Sequence, residues 1–210
     1  MKYIEKTKSE PAVFAQWKKA GGWDASFHSS NTWNPKAEKL KQQIHELLLK
    51  EQSQICCYCE DRITEENSHI EHLQPRCQFP KLKEDYANLL CSCNYDRSCG
   101  RHKDRSTINV FPLQKACGNV FEYKDNGKIE GKTPDAADTI HVLGLNCEKL
   151  NATRNGIIAV FLSIVPEDIT VSDYDDWIED NYLRPDSENR LYPFWTAIKY
   201  IAKKYRCLFP

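Results

Sequence analysis

The chain has 210 residues, 40% of them hydrophobic, and a formal net charge of −1, which supplies material for one substantial core but no global field to draw a polyanion. Contact with nucleic acid would therefore need a local basic surface. No apolar run reaches membrane-spanning length, and Met1 to Glu10 lacks the apolar centre of a secretory signal, so the expected compartment is the cytoplasm, where ten cysteines read better as metal ligands than as disulfides.

Ser9 followed by Glu10-Pro11 predicts a helix start, with Val13, Phe14 and Trp17 on one face and Gly21-Gly22 as the stop. Asn34 as N-cap and Pro35 at the first helical position predict a second helix to about Gln52, with Leu40, Ile44, Leu47 and Leu48 as its apolar stripe. From Cys56 to about Ser106 the periodicity is broken by cysteines and prolines, as in a small metal-organised module; Ser68 to Leu73 and Asn88 to Ser92 are candidate strands, and Arg101 to Ile108 a following helix. Asn126-Gly127 within Phe121 to Ile129 predicts a hairpin with a type I′ turn. Helices are expected over Asp135 to Leu143, Cys147 to Ser163 and Pro193 to Tyr205, the last with Phe194, Ile198 and Ile201 inward, while the acidic stretch Glu167 to Asp180 reads as a solvated face. The expected class is α+β, mainly helical, with segments 1–53, 54–108 and 109–210 packed as one unit.

Cys56 and Cys59 have the Cys-x-x-Cys spacing that lets two thiolates from one knuckle reach a tetrahedral zinc. Cys93 and Cys99 are the expected second pair, with Cys91 the competitor for Cys93, and the zinc would be structural, holding a hairpin too short to stabilise itself. Cys57, Cys77, Cys117, Cys147 and Cys207 read as packing residues. Between the knuckles lies Ser68-His69-Ile70-Glu71-His72-Leu73. Glu71 offers oxygen to a hard cation such as Mg²⁺ or Mn²⁺ with positions left open for phosphate, and His72 titrates in the range needed to take a proton from water. Asn88 is positioned to orient that imidazole across the hairpin, His102 to supply a second metal ligand, and Arg97, Arg101, Lys103 and Arg105 to hold phosphates. His69, two residues from Glu71 on one strand face, is the alternative to His102.

Taken together, Cys-Cys-Tyr-Cys-Glu, Ile-Glu-His-Leu-Gln-Pro-Arg, Asn-Leu-Leu-Cys-Ser-Cys and Cys-Gly-Arg-His-Lys-Asp resemble the HNH motif, and more narrowly the PtuB-like HNH subunits of Septu and retron-associated antiphage systems. The similarity extends loosely through Phe121 to Gly127, Asp138-Thr-Ile and Leu143-Gly-Leu-Asn146, about half the chain. It implies a ββα-metal module with Glu71 as metal ligand, His72 as general base, Asn88 as the middle asparagine and Cys56, Cys59, Cys93 and Cys99 as the zinc site. It also implies a DNA-cutting effector that assembles with an ABC-type, PtuA-like ATPase, in some systems alongside a retron reverse transcriptase and its DNA. One position departs from the pattern: Gly100 follows the last cysteine where HNH sequences place a metal-binding His or Asn, and the histidine comes two residues later.

Two other functions fit parts of the pattern. A zinc-organised nucleic-acid or protein-binding module needs only the cysteines and the basic patch, and has no use for Glu71 and His72 together. A docking subunit would use aromatic stretches such as Trp23 to Trp33 and Leu191 to Trp195.

Overall fold

The computed structural model describes residues 1–7, 9–26, 34–166 and 169–206. Pro11 caps α1 (Ala12–Lys19), which buries Phe14 and Trp17, and the glycine pair opens the short α2 (Gly22–Ser26). In α3 (Pro35–Glu51) the Asn34 side chain accepts from the Lys36 and Ala37 N–H groups, satisfying two of the donors a helix start leaves orphaned. Ala37, Leu40, Ile44 and Leu48 form its inner stripe. Leu47 falls off that ridge and is 36% exposed, against expectation, while Leu49 is buried.

Two small antiparallel sheets interrupt the helices. β1 (Ser68–His72) pairs with β2 (Leu89–Cys93) so that Ser68 faces Cys93 and His72 faces Leu89. A five-residue helix, α4 (Cys99–Lys103), follows. It begins earlier and ends sooner than the expected 101–108 helix, because Asp104 takes a φ of 45° and turns the chain away. β3 (Phe121–Tyr123) and β4 (Ile129–Gly131) form the second hairpin. Its turn is not type I′: only Gly127 has positive φ, the Gly127 N–H reaches the Lys124 carbonyl and the Lys124 N–H the Lys128 carbonyl, the pattern of a type I turn with a glycine bulge. The tight approach explains the glycine, since a Cβ there would lie 2.1 Å from the Asn151 carbonyl oxygen.

α5 (Pro134–Val142) and α6 (Glu148–Ser163) are separated at Gly144, whose φ is 58°. The acidic stretch is a helix as well as a solvated face: α7 (Val171–Ile178) exposes Asp173, Asp175 and Asp176 and buries Tyr174 and Ile178. Glu167 and Asp168 lie outside the described residues. α8 (Trp195–Tyr205) closes the chain after a left-handed Phe194.

One apolar cluster runs from Met1 and Phe14 through Leu48, Cys59, Leu90 and Phe121 to Leu150 and Phe194, so the cysteine-rich segment shares its core with helices on both sides. A second gathers Ile158, Phe161, Tyr174, Tyr182, Ile198 and Ile201. Trp23, Leu191 and Phe194 are buried, which takes them out of an open aromatic surface; Phe27 and Trp33 lie outside the described residues. Among the described residues, no helix is long and apolar enough to cross a membrane.

Candidate metal centre and cleft

The knuckle at Cys56 closes because the Cys56 N–H reaches the Asp61 carbonyl at 2.8 Å and the Glu60 N–H the Cys56 carbonyl at 3.0 Å, with Glu60 at a φ of 65°. β2 delivers Cys93 to this knuckle. Cys99 arrives at the start of α4 with a φ of 58°, anchored by its N–H on the Leu143 carbonyl at 2.7 Å. The four Sγ atoms of Cys56, Cys59, Cys93 and Cys99 lie within 4.8 Å of one another, all buried, and Cys59 and Cys93 are 3.9 Å apart. A tetrahedral site with Zn–S bonds of about 2.3 Å needs sulfur–sulfur edges of about 3.8 Å, so the cluster has the dimensions of such a site. Burial alone would raise the Cys56 thiol, but hydrogen bonds from Cys57, Cys59, Cys93 and Cys99 more than offset it and hold the group well below the ordinary range. Burial and its contacts with Cys56, Cys59 and Cys93 push Cys99 up.

The competitor Cys91 is elsewhere: its thiol donates to the His45 carbonyl at 3.8 Å, and burial pushes it well up. Cys57 and Cys117 are buried as expected of packing residues and Cys147 half-buried, whereas Cys77 is exposed; Cys207 lies outside the described residues.

Beside the thiols opens a cleft of about 780 Å³, lined among others by His69, Glu71, His72, Arg76, Gly100, Arg101 and Arg105. Glu71 Oε1 accepts from Lys103 Nζ at 2.9 Å and from the Tyr58 hydroxyl at 3.1 Å. Oε2 faces His69 Nε2 at 3.5 Å. Burial works to raise the Glu71 carboxyl, but His69 and Lys103 outweigh it and the net shift is downward. The His69 ring is held from behind, its Nδ1–H donating to Asn94 Oδ1 at 2.9 Å while Asn94 Nδ2 donates to the Ser68 carbonyl at 3.1 Å. That leaves Nε2 as the ring nitrogen that faces Glu71.

His72 Nε2 lies 3.0 Å from the Lys83 carbonyl. A carbonyl only accepts, so the proton is on Nε2 and Nδ1 is the basic nitrogen. Burial pulls this imidazole down to about 4, with the charge of Arg76 acting in the same direction, so it is neutral at neutral pH. Trp23 packs on the ring with centroids 5.1 Å apart.

No family model matches the chain. Over 129 residues it is 26% identical to a retron Vc95 protein assigned as an HNH endonuclease in Vibrio cholerae serotype O1 biovar El Tor, covering 55% of this chain and 63% of that protein. Over 113 residues it is 33% identical to Septu protein PtuB of Bacillus thuringiensis, covering 50% of this chain and 42% of that protein. The chain is a relative of the PtuB-like HNH proteins. It matches between two fifths and two thirds of the length of these two relatives.

Against the HNH pattern, several side chains sit elsewhere than expected. Asn88 does not touch the imidazole: its Oδ1 accepts from the Gln74 N–H at 2.7 Å and its Nδ2 donates to the Gln74 and Leu82 carbonyls, so it staples the excursion that carries Lys83. His102 faces away from Glu71, its Nδ1 donating to the Val142 carbonyl at 2.9 Å, because Gly100 and Lys103 occupy the helix face that meets Glu71. The departure at Gly100 follows from the same packing, since a Cβ there would lie 2.6 Å from Glu71 Oε2 and 2.9 Å from His69 Nε2. Lys103, expected on phosphate, is 1% exposed and bonded to Glu71. Arg97 is exposed but does not line the cleft, whereas Arg101 and Arg105 do. Sequence reasoning passed over Tyr58 and Arg76, although both lie inside the segments that carry the HNH resemblance. Trp23 and the Lys83 carbonyl had no sequence signal, because both act across tertiary contacts.

Proposed function

We propose that the chain is a metal-dependent HNH endonuclease hydrolysing DNA phosphodiester bonds, the effector nuclease of an antiphage defence complex with an ABC-type, PtuA-like ATPase. The observation that carries the reading is a neutral, carbonyl-oriented His72 next to Glu71 in an arginine-lined cleft; the names of the two relatives support it. On this reading β1, β2 and α4 are a ββα-metal unit stapled by zinc at Cys56, Cys59, Cys93 and Cys99. The resemblance also leaves room for a retron reverse transcriptase and its DNA in the same assembly.

Glu71 Oε2 and His69 Nε2 are the donors for a catalytic Mg²⁺ or Mn²⁺, and the missing side chain at Gly100 leaves them room. Such an ion, when bound, supplies positive charge to the scissile phosphate and the leaving oxygen. His72 accepts a proton at Nδ1 from the attacking water while Nε2–H stays on the Lys83 carbonyl. Lys103 and Tyr58 hold the Glu71 carboxylate ionised and aimed, and Arg76, Arg101 and Arg105 bind the phosphates on either side. One observation favours a binding module without catalysis: Lys103 already neutralises Glu71.

Plasmid nicking with Mg²⁺ or Mn²⁺ separates the two. Wild type is expected to nick, and His72→Ala to lose about 10²-fold or more while keeping its unfolding midpoint within a few degrees. His69→Ala is expected to lose activity and His102→Ala to keep it. Equal nicking by wild type and H72A overturns the catalytic reading.

A further inference from the structure

Arg154, in α6, is 0% exposed. Its Nη1 donates to the Gly127 carbonyl and to Asn151 Oδ1, its Nη2 donates to the Leu145 carbonyl at 3.2 Å, and its Nε has no partner. Every group in contact is neutral, and among the described residues no carboxylate reaches it at ion-pair distance. A guanidinium withdrawn from water without an anion is among the costlier arrangements an interior can hold, so the negative charge that justifies it must lie further off.

Four groups of potentially negative charge act on it across the interior: Tyr123, Cys59, Glu60 and Cys99. Tyr123 is a neutral phenol, since burial pushes its ionisation well up. Glu60 is already engaged, by the Met1 ammonium at 2.9 Å and the Thr196 N–H at 2.7 Å. The two thiols remain: they too are pushed up in the free protein, but a bound divalent ion would hold them as thiolates. Four thiolates around a divalent ion leave two excess negative charges in a buried place, and the Cys93 N–H on Cys56 Sγ, at 3.4 Å, relieves only part of that.

There is a mechanical link as well. Arg154 Nη2 holds the Leu145 carbonyl, and two residues earlier the Leu143 carbonyl receives the Cys99 N–H at 2.7 Å. Cys99 needs that anchor because it stands in the left-handed region, with a φ of 58°. The arginine thus braces the backbone that presents one ligand, and the charge of Cys59 and Cys99 acts on it through the interior.

We propose that Arg154 is the counter-cation of the four-thiol centre, offsetting its negative charge and bracing the turn that seats Cys99, so that metal affinity depends on a residue that touches no metal. The proposal rests on reading the four thiols as a metal centre.

The test uses the full chain as wild type, Arg154→Lys and Arg154→Met, with Co²⁺ uptake followed by its thiolate charge-transfer absorption and Zn²⁺ loss followed by competition with a chromogenic chelator. Wild type is expected to take up one ion at this centre, R154M to bind it about 10–100-fold more weakly, and R154K, which keeps the charge, to stay within a few-fold of wild type. A purely structural arginine would destabilise R154M equally with and without metal. The charge role instead predicts that the thermal penalty of R154M shrinks once metal is stripped. If R154M yields no folded protein, R154K decides: near-wild-type affinity supports the proposal, and a loss of about 100-fold overturns it. Wild type and R154M agreeing within twofold overturns the proposal alone, while a wild type that takes up no Co²⁺ overturns the metal reading and this one with it.

Discussion

Lys103→Met tests how the centre of the cleft is held together. The pair joins Lys103 Nζ to Glu71 Oε1 at 2.9 Å, with side chains 1% and 9% exposed, and Lys103 also donates to the His72 carbonyl at 3.2 Å. An exposed pair such as Arg184–Asp180 would be worth about 0–1 kcal/mol. Removing one member of a buried pair leaves the other charge uncompensated, which costs about 3–5 kcal/mol. At about 2–4 °C per kcal/mol for a chain of this size, the melting temperature of K103M should fall by ~10 °C or more. Adding Glu71→Gln removes the stranded charge, so the double variant should recover much of the loss, with a coupling of about 2 kcal/mol or more in a double-mutant cycle. Urea unfolding followed by tryptophan fluorescence, without added divalent ions, measures all four corners. Millimolar Mg²⁺ should then stabilise K103M more than wild type, because the variant has lost the ammonium that neutralises Glu71. A K103M cost below about 1 kcal/mol, or strict additivity with E71Q, refutes the reasoning.

His72 gives a pH dependence with a definite sign. Its folded value of about 4 lies below the 6.5 of a free histidine, so the unfolded chain binds the extra proton first; the contribution is fully present above about pH 6.5 and lost as pH falls toward 4. The difference in unfolding free energy between wild type and His72→Gln should therefore shift by about 3 kcal/mol across that window, and a flat difference would contradict the burial of the ring. Cys93→Ser should abolish zinc retention and lower stability sharply, whereas Cys91→Ser should keep one zinc, as measured by metal analysis. Gly100→Ala places a methyl 2.6 Å from Glu71 Oε2 and should depress Mg²⁺-dependent nicking about tenfold or more with zinc content unchanged; wild-type nicking by G100A would show that α4 can give way.

Local chemistry explains what was legible in the sequence. Asn34-Pro35 announced α3 because capping is written in adjacent residues, and the Cys-x-x-Cys knuckle announced itself because ligand spacing is short-range. The four thiols expected to converge do lie together, and Glu71 and His72 sit side by side on one cleft. What escaped depends on direction within an element. Whether His102 or Lys103 meets Glu71 turns on where α4 begins, and its start at a left-handed Cys99 is invisible in composition. The hairpin turn was misread for a related reason: Asn-Gly suits both a type I′ turn and a bulged type I turn, and the close approach of α6 at Asn151 accompanies the second. Asn88 was placed correctly in the chain but given the wrong reach, since its amide serves the backbone of the neighbouring excursion.

The Lys83 carbonyl receives two donors, Nε2 of His72 at 3.0 Å and the indole Nε1 of Trp23 at 2.9 Å. Imidazole and indole thus draw on a single oxygen, presented by a segment that lies far from α2 in sequence. The oxygen that sets which nitrogen of His72 bears hydrogen is thus tied to an amino-terminal helix, and a substitution beneath that helix should reach the proton transfer proposed for His72 without disturbing one residue of the strand.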